Sequence, residues 1–89
     1  MARMELSAVQ ETELAAKTGS DEAFYRLGLI YSTGRDVEAD LVSAHKWFNL
    51  AALRGNSAAK EYRKELSLEM SGDEVSEAQR RAREWLNTA

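Results

Sequence analysis

Apolar positions recur along this chain at helical spacing. The stretch from Ala23 to Ala59 carries the strongest pattern. In its first half, Ala23, Leu27, Ile30 and Tyr31 make one stripe. Phe24, Tyr25 and Leu29 add apolar surface outside that stripe, and Arg26 is the main polar interruption. A helix that is apolar nearly all round needs cover on more than one side. In the second half, Val42 or Leu41 leads into Ala44, Trp47, Phe48, Ala51 and Ala52, again at helical spacing. Further on, Ala59, Tyr62, Leu66 and Met70 fall on one helical face, and Val75, Ala78, Ala82, Trp85 and Leu86 on another. Ahead of all these, residues 4–17 hold Leu6, Val9, Leu14, Ala15 and Ala16 in a looser stripe.

The polar punctuation divides these runs into five helices. Gly19 ends the first as a C-terminal cap. Ser20 is an N-cap, with Asp21 and Glu22 in the first turn, where the helix dipole favours acids. The second helix runs to about Ser32, Gly34 breaks it, and residues 34–39 form a turn. Asp40 caps the start of the third helix, Gly55 ends it, and Asn56 opens the fourth. Ser71, with Glu74 three positions later, reads as a capping box ahead of the fifth. Short links between helices predict an all-α domain of about five antiparallel helices.

Composition narrows the function classes. The 89 residues contain no Cys and no Pro. A disulfide framework and a thiolate metal site are therefore excluded, and a reducing, cytoplasmic setting is expected. No apolar run approaches the roughly 18 residues of a membrane span. The opening residues lack the apolar core of a signal peptide. Residues 1–45 carry four Lys/Arg against eight Asp/Glu, and residues 46–89 carry eight against seven, giving the overall net charge of −3. Nucleic acid is not an expected partner, because phosphate binding requires a basic footprint.

The chain repeats itself. Ala15-Ala16-Lys17-Thr18-Gly19 lies over Ala51-Ala52-Leu53-Arg54-Gly55 at an offset of 36, and each is followed four residues on by Ala, at Ala23 and Ala59. A weaker echo pairs Ala44-x-x-Trp47-Phe48 with Ala82-x-x-Trp85-Leu86 at an offset of 38. Two helices per unit of this length mark an α-solenoid. Small residues at Gly28, Ala44, Ala51 and Ala59 let helices approach, and Tyr31, Trp47 and Phe48 fill the space beside them.

On the residues Ala23-x-x-x-Leu27-Gly28-x-x-Tyr31-x-x-Gly34, then Val37, Asp40, Ala44, Trp47-Phe48, Ala51-Ala52, Gly55 and Ala59, the chain resembles a Sel1-like repeat, a relative of tetratricopeptide repeats. One full unit spans about residues 23–59, preceded by a single helix and followed by a degenerate unit over residues 60–87. Asp36 stands where the family has a second Gly, and Asp tolerates a left-handed backbone better than most residues. The resemblance implies a scaffold or adaptor that holds another protein, often in bacterial signalling or regulation, and no catalysis or cofactor.

Candidate chemistry is sparse. His45 is the only His and, beside Ala44 and Lys46, is expected to face solvent. It has no nucleophile or metal-ligand pattern around it. Glu61, Glu65 and Glu69, with Lys60 and Lys64 alongside, read as a solvated face with local ion pairs. Arg80, Arg81 and Arg83 form a small basic cluster interrupted by Glu77 and Glu84. It suits a solvated face, an acidic partner or, less well, nucleic acid. Phe24, Leu29 and Ile30 either pack on the first or fifth helix or form part of a groove or dimer seam. A groove drawn from the second and fourth helices would present Phe24, Arg26, Ile30, Arg63 and Lys64 to a helix or extended segment of another protein. A homodimer with no separate ligand is the alternative.

Overall fold

The computed structural model of the chain describes residues 7–88. They form five helices: α1 (Ala8–Ala16), α2 (Asp21–Thr33), α3 (Leu41–Leu53), α4 (Ser57–Glu69) and α5 (Gly72–Thr88). Side chains fix most of the ends. Ser20 accepts from the Ala23 amide, Asp40 from Ser43 and Asn56 from Ala59, each satisfying an orphan donor of a first turn. Ser71 and Glu74 close the expected capping box, with Ser71 N donating to Glu74 Oε1 at 2.8 Å and Glu74 N to Ser71 Oγ at 3.1 Å. A second capping box, between Ser7 and Gln10, was not expected and starts α1 at Ala8 rather than residue 4. Residues 4–6 lie outside the described residues.

The turn between α2 and α3 needs two left-handed residues in close succession, Gly34 at φ 73° and Asp36 at φ 63°. Asp36 therefore adopts the conformation that the family's glycine would supply. After α3, Asn56 N donates to Ala51 O and Gly55 N to Ala52 O, a Schellman ending.

Helix α3 is the hub. It packs on α2, α4 and α5, while α1 packs on α2. Trp47, Phe48, Leu50, Ala44, Ala51 and Ala52 are all buried. Gly28 lets α2 come close, since a Cβ there would stand 2.5 Å from the Phe48 ring. Two aromatic clusters flank α3. On one side Trp47 stacks on Phe24 at 5.9 Å and meets Trp85 edge-on at 4.9 Å. On the other, Phe48 stacks on Tyr62 at 5.2 Å, and Tyr25 lies 6.0 Å from both rings.

Helices α2 and α4 lie side by side and run in the same direction, tied by Asn56 Nδ2 donating to Asp21 Oδ2 at 3.2 Å and by the Tyr25–Tyr62 contact. Helices α4 and α5 each pack on α3 rather than on each other. The molecule is elongated, 48 × 24 × 22 Å, as stacked helical units require.

His45 departs from expectation. It is 2% exposed, with Nε2 2.9 Å from Ser67 Oγ on α4. Cover on three sides leaves α3 little solvated face, so a position between Ala44 and Lys46 is interior.

Candidate partner-binding groove

A concave surface lies between α1 and α2. One edge of α2 carries Glu22, Arg26, Leu29, Ile30 and Thr33 at helical spacing, and α1 presents Glu11, Thr12 and Ala15 opposite. Two adjoining hollows, of about 280 and 610 Å³, share Glu11, Thr12 and Arg26 in their walls. The larger continues past Leu29 and Ile30 to Arg35 and Asp36 in the turn after α2. Both aliphatic residues are partly exposed. Arg26 donates to Glu22 at 2.8 Å, but both side chains are well exposed, so the pair contributes little to stability. The groove thus combines an aliphatic floor with charges of both signs on its rim, the composition of a peptide-docking surface.

Of the five residues expected to bind a partner, the structure brings two together here, Arg26 and Ile30. Phe24 is 1% exposed and lies between Trp47 and Trp85, so it belongs to the core and lines no groove. The sequence had left packing on the fifth helix open for Phe24, and that is what occurs. Arg63 is turned towards α3, where its Nη1 donates to Asn49 Oδ1 at 2.7 Å. Lys64 is exposed on α4 and lines neither hollow. Glu11, Thr12, Ala15, Arg35 and Asp36 were not assigned to a binding site from the sequence. The signal that would have found the α1 residues is the 36-residue offset, which places Glu11, Thr12 and Ala15 over Trp47, Phe48 and Ala51.

The other charged features are structural. Arg80 pairs with Glu77 at 2.6 Å and Glu84 at 2.5 Å, and Arg81 pairs with Glu77 at 2.8 Å. The two guanidinium groups hold the Glu77 carboxyl down to about 2. Two of the three clustered arginines are therefore engaged along α5 itself. Lys46 places its ammonium 4.0 Å from the Trp47 ring centroid, and burial pushes its pKa down. On α4 the ion pairs expected among Lys60, Glu61, Lys64, Glu65 and Glu69 do not form among the described residues. The three carboxylates follow one another at i, i+4 and i+8, an order that sets like charges side by side. No cluster of His, Cys, Asp or Glu suited to a metal occurs among the described residues. No helix there is long and apolar enough to cross a membrane.

Paired helices stacked around a shared hub define a helical-repeat protein. The Sel1 repeat model matches residues 21–56 and 66–89, well over half of the chain, and the chain belongs to the Sel1 repeat family. Repeats of this family generally mediate protein–protein interaction. No curated protein and no solved structure matches the chain.

Proposed function

We propose that this chain is a non-catalytic adaptor that binds another protein through the groove between α1 and α2. The observation that carries this reading is the continuous hollow beside α2, with Leu29 and Ile30 as its floor and Arg26 and Arg35 on its rim. Aliphatic side chains left partly open beside solvent-exposed charges supply both affinity and register to an incoming segment. The division into one full unit over about residues 23–59 and a degenerate unit over 60–87 supports the same reading, because the helix before the full unit is what makes the groove's second wall. The setting proposed with it is the cytoplasm and bacterial signalling or regulation, on the strength of the cysteine-free sequence and the family.

The test is affinity capture from host lysate followed by titration of the captured protein, with wild type beside Ile30→Asp. A charge on the groove floor is expected to weaken binding by about 2 kcal/mol or more, which is about thirtyfold, with the melting curve nearly unchanged. A partner that binds both chains equally would refute the groove assignment.

A further inference from the structure

The internal repeat says what shape the groove is made for. Helix α2 packs on α1 and α3 and also touches α4. On α3 it meets Trp47 and Phe48, through Phe24 and Gly28. On α4 it meets Tyr62, through Tyr25. Subtracting the offset of 36 from these positions gives Glu11 and Thr12 on α1 and Arg26 on α2. Those are the three residues shared by both hollows. Ala51, which is fully buried in α3, maps in the same way onto Ala15, which is exposed and lines the smaller hollow. In register, the walls of the groove correspond to the α3 and α4 surfaces that meet α2, one unit earlier and with no helix between them among the described residues.

From this we infer that the groove is the vacant position of a first repeat helix, and that its occupant is an amphipathic α-helix of a partner protein rather than an extended strand. This rests on the proposed groove-binding function and specifies the partner's form. The hollows run from Ser20 to Asp36, the whole length of α2. A helix of 13 residues such as α2 is about 20 Å long and fills that span. The register also sets the occupant's chemistry. Where α2 meets Trp47, Phe48 and Tyr62, the occupant meets Glu11, Thr12 and Arg26, so its contacts there are polar. It carries a basic side chain towards Glu11 and carboxylates towards Arg26 and Arg35. Aliphatic residues follow at the end that covers Leu29 and Ile30. The polar walls account for a groove that stays open in water, where the aromatic walls of the next position do not.

Two peptide display libraries panned on the full chain test this. One holds helix-locked peptides about four turns long, and the other unconstrained peptides of equal length with a central proline. Helix-locked binders are expected that shift the amide resonances of Ala15, Arg26 and Ile30. Their affinity should fall about tenfold or more with Ala15→Arg and hold with Leu68→Asp, a control on the outer face of α4. Ala15 and Leu68 are both exposed, so each variant keeps the core intact. Groove binders that come only from the proline library would overturn the helix while leaving the groove-binding function standing. Helix-locked binders that shift α4 or α5 instead would overturn both, and so would the lack of any binder.

Discussion

His45 shows how one side chain couples to its surroundings. Ser67 Oγ donates to Arg63 O at 2.9 Å, which leaves its lone pairs to accept from His45 Nε2–H. The other ring nitrogen, Nδ1, is buried with no hydrogen-bond partner among the described residues. In that tautomer Nδ1 is an unmet acceptor, and a proton added there would be an unmet donor beside the Arg63 charge. Burial, then Arg63, holds the pKa below its ordinary 6.5. The unfolded chain therefore takes up this proton first as pH falls. The stabilising contribution is complete above the unfolded value of about 6.5 and is lost as pH drops below it. Wild type should show a level melting temperature between about pH 7 and 8, then a steeper fall towards pH 5 than His45→Gln. Each tenfold difference in proton affinity corresponds to about 1.4 kcal/mol, or about 6–11 °C in a domain of this size. Parallel melting profiles for the two chains would show that His45 does not titrate with folding. At the same scale, Phe24→Ala is a core truncation and no probe of binding. Its ring is enclosed by Trp47 and Trp85, and a deletion of this kind costs about 3–5 kcal/mol.

Helix boundaries were the most legible feature of the sequence, because capping is decided by a few neighbouring residues. Gly34, Asp40, Asn56 and the Ser71–Glu74 pair all act where their local chemistry placed them. What each helix faces was less legible. Burial of His45 and Phe24 depends on α3 being enclosed by three helices, and no local pattern carries that number. The missing ion pairs on α4 have a similar cause, since side-chain rotamers there answer to solvent and not to sequence spacing alone. Of the residues lining the hollow, Arg26 and Ile30 were named from the sequence, whereas the α1 wall required the repeat to be read as geometry. That geometry gives a contrast between equivalent residues. Ala51→Arg would force an unpaired charge into the fully buried surface of α3 and is expected to cost several kcal/mol, a large share of the about 5–15 kcal/mol typical of a whole domain. Ala15→Arg, one unit earlier in register, should change the melting temperature by no more than about 2–4 °C, which is roughly 0.5 kcal/mol. Denaturation followed by circular dichroism measures both. Equal losses would mean that the two positions are not structurally equivalent, and the vacant helix position would go with them.

Across the molecule, the aromatic core and the proposed binding groove lie in different places. The aromatic clusters on either side of α3 join α2, α4 and α5 into one core. The Arg80–Glu77–Arg81 network and the polar outer surface of α5 face solvent. The opposite end, between α1 and α2, keeps its wall residues polar and its floor aliphatic. The direct measurement is hydrogen–deuterium exchange of the chain alone and with the captured partner bound. Protection is expected over residues 8–16 and 21–36, with α4 and α5 unchanged. Protection centred on residues 57–69 or 72–88, with α1 and α2 exchanging as in the isolated chain, would contradict the assignment of the groove.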